Sequence, residues 1–439
     1  MSAAKSLQTL PAAFVKPAHT SALPAPLAKW RDEAAPHLSA LTLPTRRTEN
    51  WKYSYRALKL DDQIAQTRTN APQTDSADSV PHHGLGYRLV IRNGWIDRSA
   101  SRLPQQSGIE LLAFSELDDL QAQALAGKLG SCLDAKTTQL AVLNQAHLAD
   151  GLVIRLAKGA VLDQPLYLAI HGDAGASYPR IWLEAAENSQ IAVVEEYSSE
   201  GADPTLTNAA VEMTLAANAH VNWVRLALEA EHSQHIGATG AVLAQHARLE
   251  HHHIGFGGQL RRHDLQVRLE ESGAECKLNG VAVTQGRQHF DNHTVIEHIA
   301  PHCNSEETYR NIAADRSHAI FNGRIHIHQD AQKSLAEMNN KNLLLSNGAE
   351  IDTKPELEIY ADDVKCAHGA TIGRLDEKSL FYLVARGINR LDAKALLSMA
   401  FINELVDEVP IDNVREAVDE HLNAFFSHAF KTAESLSDE

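Results

Sequence analysis

A chain of 439 residues with 44% hydrophobic and 22% charged side chains has the make-up of a soluble globular protein, long enough for about three domains or one elongated fold. Its 40 basic and 56 acidic residues leave a net charge of −16, which argues against a surface for nucleic-acid phosphates. No apolar run approaches the roughly 18 residues of a membrane span, residues 1–27 lack the apolar core of a secretory signal, and Cys132, Cys276, Cys303 and Cys366 are dispersed without a CxxC pair. The expectation is free thiols in a reducing cytoplasm.

Residues 1–24 are small and polar, with Pro11, Pro17 and Pro24, and read as a flexible lead. Helical character follows around Trp30–Leu41. In Leu43-Pro-Thr-Arg-Arg-Thr-Glu-Asn-Trp-Lys-Tyr53, Thr48, Glu49 and Asn50 suit a turn or short helix, and Trp51 and Tyr53 supply apolar anchors. Residues 66–83, rich in Thr, Asp, Ser and Pro, read as a linker. Tyr87–Arg92 has a strand pattern, and 114–148 reads as helical through Leu117, Leu120, Leu125, Leu129 and Leu140.

From Gly151 short β-type runs alternate with turn residues: Leu152–Leu156, Leu166–Ile170, Ile181–Ala185, Ile191–Glu195, Val211–Leu215 and Val221–Leu226. A loose repeat opens successive strands: Ser189-Gln-Ile191, Ala219-His-Val221, Ala247-Arg-Leu249, Ala274-Glu-Cys276, Ser317-His-Ala319 and Ala349-Glu-Ile351. The third residues are 30, 28, 27, 43 and 32 apart, and the long interval suggests an insertion around Ile299–Arg310. A period near 30 without helical periodicity favours a β-solenoid, in which stacked coils bury what one coil cannot. A β-sandwich or tandem jelly rolls compete with it. The expected division is an N-terminal lead and helical region over 1–150, a β core over 151–375 and a helical region over 376–439.

In that last region Asp392 is a candidate cap for a helix carrying Leu397, Phe401 and Leu405 at i, i+4 and i+8. Pro410 breaks it. A second helix from Asp412 carries Val414, Val418, Leu422 and Phe425, widened by Phe426. Such a hairpin must bury its stripe against its own core or a partner's groove.

The densest chemistry lies in Asp352-Thr-Lys-Pro-Glu-Leu-Glu-Ile-Tyr-Ala-Asp-Asp-Val-Lys-Cys-Ala-His-Gly-Ala-Thr371. If Asp363 to His368 is extended, Val364, Cys366 and His368 share one face, with the Cys366 and His368 Cα atoms about 6.6–6.8 Å apart. A thiolate beside an imidazole is half of a tetrahedral zinc or iron–sulfur site. The alternative is a small buried Cys and a surface His at a strand end. Of 24 histidines, 15 fall between His220 and His328. Alternation puts His251 and His253 on one face and His252 on the other. His289, His293, Glu297, His298, His302 and Cys303 form a second group. Both groups have metal-ligand residue types, but no HExxH or CxxC accompanies them, so the expectation is histidines scattered on solvent-facing positions. GxxxxGK[ST] and GxSxG are absent, the glycines at 255–258 do not complete GxGxxG, and Glu195-Glu196 and Asp362-Asp363 point their neighbours to opposite faces.

Those same stretches, Leu43–Tyr53, Asp352–Thr371 and Leu380-Phe-Tyr-Leu-Val-Ala-Arg-Gly-Ile388, resemble the SufB/SufD family of SUF-system iron–sulfur cluster assembly scaffold subunits. The SufD branch fits better. SufB-type chains carry Glu-His-Glu-Ala where this chain has Cys-Ala-His-Gly-Ala, and a cysteine where it has Leu383. The resemblance implies a right-handed parallel β-helix flanked by helical domains, and no catalysis by the chain itself. It implies pairing with a SufB-like subunit through the β-helix and docking of a SufC-like ATPase on the C-terminal helices, where Leu397, Phe401 and Leu405 are the candidate contacts. It also puts Cys366 and His368 at the SufB-facing end, as candidate ligands of a transient iron–sulfur cluster or iron, with no tightly bound cofactor. A self-dimer of the isolated chain is kept as an alternative assembly. The rival functions are a polysaccharide-active β-helix enzyme and a histidine-rich metal-binding protein.

Overall fold

A computed structural model describes residues 9–15, 22–61, 64–65, 83–133, 138–172, 175–199 and 203–435, with side chains described to 427. Residues 66–82 of the expected linker, and most of the expected flexible lead, lie outside the described residues. The molecule is a β-solenoid of about seven turns. Its coils are built from two ten-stranded sheets whose solenoid strands all run parallel, so the sandwich and jelly-roll alternatives are set aside.

One ladder column shows how the sequence builds the stack. Ile191, Val221, Leu249, Cys276, Ser305, Ala336 and Cys366 are successive register partners, one per coil. Three residues before each of the first six of these, the chain turns through a left-handed backbone conformation, at Asn188, Asn218, His246, Gly273, His302 and Lys333. The next residue is small and buried: Ser189, Ala219, Ala247, Ala274, Cys303 or Ser334.

This column corrects the proposed insertion. Asn304–Ala313 is a regular strand of the stack. Its third-position residue is polar and so carries no apolar signal: Ser305 points into the interior, where it meets the His298 Nε2 at 2.8 Å. The 43-residue interval joined strands of different sheets, because Ala319 and Ile351 are partners in the other one.

The solenoid interior is apolar along most of its length. The outer face of one sheet is covered by the C-terminal helices. The other is covered by N-terminal segments. Two of these correct the flexible lead. Ala12–Val15 is helical with Phe14 fully buried, its carbonyl accepting from His147 at 2.7 Å, and Leu23 is a core residue. The helix expected over Trp30–Leu41 is two short ones, Ala25–Asp32 and Ala35–Ala40, each with a proline in its first turn. The region 114–148 holds Phe114–Glu116, Asp119–Ala126 and Ala141–Ala146 as separate short helices, and Leu120 is 79% exposed. Glu49–Trp51 is a short helix, held down by Arg262, whose guanidinium lies 4.2 Å from the Trp51 ring and donates to the Asn50 carbonyl at 2.7 Å.

The first C-terminal helix, Glu377–Val384, buries only Leu380. The second, Arg390–Asp407, is capped by Asn389, which accepts from the Asp392 N–H at 2.8 Å, so the cap is three residues earlier than Asp392. The third, Asp412–Ser435, buries Val414, Val418, Leu422, Phe425 and Phe426 as its stripe requires.

Candidate functional site at the open end of the solenoid

The two ends of the stack differ. At the N-terminal end each sheet ends in an antiparallel strand, Trp95–Arg102 on one and Ile109–Ala113 on the other, also partnered on one side only but more buried than the last strand Lys365–Gly373. At the C-terminal end the last strands are Lys365–Gly373 and Glu350–Ile359, each with a ladder partner on one side only. Their outward backbone groups form a strand edge of the kind that recruits another chain. Ile359, Tyr360 and Ile372 are exposed beside it.

Cys366 and His368 stand on the last of these strands. Their register partners are Ala336 and Met338, both buried members of the interior cluster. The pair therefore continues two interior columns of the solenoid but has no further coil above it. Cys366 is half-buried and packs with Val364 against the end of the core, while His368 is exposed. Burial pushes the Cys366 thiol up from its ordinary value, and the Ala336 backbone hydrogen bond works against that shift without reversing it. The thiol is thus held protonated at neutral pH in the single chain. A positive metal or a cationic partner would draw off the proton. No other pair of ligating groups approaches Cys366 and His368 closely enough to complete a site within the chain, among the described residues.

The histidine groups are placed differently from the expectation. His251, His252, His253, His289 and His298 are all buried. Alternation does hold: His251 and His253 face the interior with His263, whose ring lies 5.7 Å from that of His251 and 4.7 Å from that of His253. His252 faces the other way and bonds Glu250 at 3.0 Å. Burial lowers His251 to about 3, so the interior imidazole is neutral.

These rings join a polar knot inside the solenoid. Glu195 accepts from the Trp223 indole at 2.7 Å and from Arg225 at 3.0 Å, and also from the Tyr197 hydroxyl. The His235 Nδ1–H donates to Glu229 at 2.6 Å, and Arg261 meets Glu229 at 3.2 Å. His253 bonds Asn292 at 2.9 Å and His263 bonds Thr239 at 2.9 Å. Buried charges in such a knot neutralise one another, which is why a β core tolerates them.

The C-terminal contacts also need revision. Leu405 is 3% exposed within the core formed by the helices and the solenoid, and Phe401 packs half-buried against that core, so Leu405 is intrachain. Leu397 is half-buried. Among the described residues, the large apolar side chains that these helices expose are Phe381 (74%), Tyr382 (56%), Val384 and Leu396 (52%). Phe381 and Tyr382 lie inside the Leu380–Ile388 stretch, and a helical count showing only Leu380 on the inner face would have found them.

The family model for the SUF system FeS cluster assembly SufBD core domain matches residues 168–401, and that for the SufBD protein N-terminal region matches 14–168. The chain belongs to the SufBD family. It is 32% identical over 394 residues to the iron–sulfur cluster assembly protein SufD of Escherichia coli, covering 89% of this chain and 92% of that protein. A SufBD family protein of Synechocystis is 30% identical, with 89% of each chain covered. The chloroplastic protein ABCI7 of Arabidopsis thaliana is 27% identical over 90% of this chain and 86% of its own. Family membership ties the chain to iron–sulfur cluster assembly. No helix among the described residues is long and apolar enough to cross a membrane.

Proposed function

We propose that this chain is a non-catalytic scaffold subunit of a SufBCD-type complex working in the cytoplasm. The observation that carries the reading is the open end. A free strand edge, exposed Ile359, Tyr360 and Ile372, and a thiol and imidazole with no ligand partners converge there. A related SufB-like subunit set against that edge would pair the strands and supply the missing ligands for a transient cluster or iron. The cluster is cargo, not a resident cofactor. The exposed Phe381, Tyr382 and Leu396 are the revised surface for a SufC-like ATPase, in place of Leu405, with Leu397 at its margin.

The test uses the chain coexpressed with its partner subunits. The Cys366→Ala/His368→Ala double variant should copurify with them unchanged and lose most of the assembled iron and sulfide. A wild-type cluster yield in that variant removes the site assignment. Phe381→Glu/Leu396→Glu should release the ATPase from a chain that still melts cooperatively, whereas Leu405→Glu should unfold the C-terminal helices. ATPase retained by the Phe381/Leu396 variant would overturn that surface.

A further inference from the structure

The geometry points to a second site, distinct from Cys366 and His368: a divalent first-row transition cation held on the outer face of the last coils by His318, Glu350 and Asp352. His318 and Glu350 are direct partners in the parallel ladder between His318–Ile327 and Glu350–Ile359. Partners in register project to the same face, and Asp352, two residues on, joins them. One nitrogen of His318 and one oxygen from each carboxylate all lie within 4.8 Å of one another, and this is the only such group of three among the described residues. Ligands at about 2.0–2.2 Å from a first-row ion sit about 3–4 Å apart. A rotamer change of the exposed Glu350 closes the difference.

Two further observations favour a cation there. The His318 Nε2 and Asp352 Oδ2 are already 2.8 Å apart, so one edge of the site is preformed. The neutral ring binds the ion through Nε2 with its single N–H moved to Nδ1, so the ion takes the place of the proton between Nε2 and Oδ2. The neighbouring cations are committed elsewhere. Lys354, on the same face two residues beyond Asp352, reaches Glu49 at 3.1 Å and Glu356 at 3.0 Å. Arg262 is held by Asp264 at 2.6 Å and Asp291 at 2.7 Å. The site also has a wall. The His289 ring is 4.8 Å from that of His318, the Tyr53 ring is 6.5 Å away, and Ser54 bonds His289 at 2.8 Å. One imidazole and two carboxylates without a thiolate select Mn2+, Fe2+ or Zn2+ as single ions, not a cluster.

The test titrates the full-length Cys366→Ala/His368→Ala chain, so that Cys366 and His368 contribute nothing. Mn2+ is followed by the loss of its free-ion EPR signal and Zn2+ by calorimetry. The expected result is one site per chain for at least one of the two ions. Adding His318→Ala should abolish it, and adding Glu350→Gln, at an exposed position, should weaken it by about tenfold. Circular dichroism checks the fold of each variant. No stoichiometric binding of either ion, or binding that is unchanged by Glu350→Gln and by a folded His318→Ala, overturns the site.

Discussion

Two pairs of residues in the same ladder columns have opposite fates. Cys276 and Cys366 share one column, three coils apart, and His251 and His368 share the next, four coils apart. In the middle of the stack Cys276 is 3% exposed and its thiol is pushed well up by burial. His251 is fully buried and neutral. At the last coil Cys366 is half-buried and His368 is open. The side chains and backbone are the same; the difference is whether another coil follows. The residue types that could bind metal are inert where the solenoid seals them, and become available where it stops.

The largest expected effect comes from breaking the sealed region. Arg225→Met removes the cation that faces Glu195, leaving that carboxylate buried without its counter-charge. A loss of about 3–5 kcal/mol in denaturant unfolding is expected, against at most about 0.5 kcal/mol for His368→Ala. Similar losses for the two variants would end the contrast between middle and end.

Acid gives a graded effect. His251 is held at about 3, and His289 and His298 at about 4, all by burial. Folded, these rings stay neutral while the unfolded chain takes up protons near 6.5. Stability should therefore fall as the pH drops from about 6.5 towards 4, by up to about 1.4 kcal/mol per pH unit for each ring. His251→Gln should flatten the melting temperature against pH over that range, and an unchanged slope contradicts the sealed placement.

Much of this arrangement was legible in the chain. Apolar third residues at Ile191, Val221, Leu249 and Cys276 announced the coil period, and strict alternation gave the faces of His251–His253 and of Cys366 and His368. The pattern failed where the interior is polar or small. Ser305 and Ala336 carry the column onward without an apolar signal, and His251 reads as a surface residue until Glu195, Arg225 and Trp223 are seen to satisfy one another around it. Leu405 failed for the opposite reason. An amphipathic stripe declares that it must be buried, not whether by its own solenoid or by a partner.

The most direct test of the account is alkylation of the native cysteines by iodoacetamide, read by peptide mass spectrometry, in the isolated chain and in the complex copurified with its partner subunits. The account predicts that Cys366 is labelled in the isolated chain and protected in the complex, while Cys276 is labelled in neither until the protein is denatured. Labelling of Cys366 at the same rate in both preparations, or labelling of native Cys276 as fast as Cys366, would contradict it.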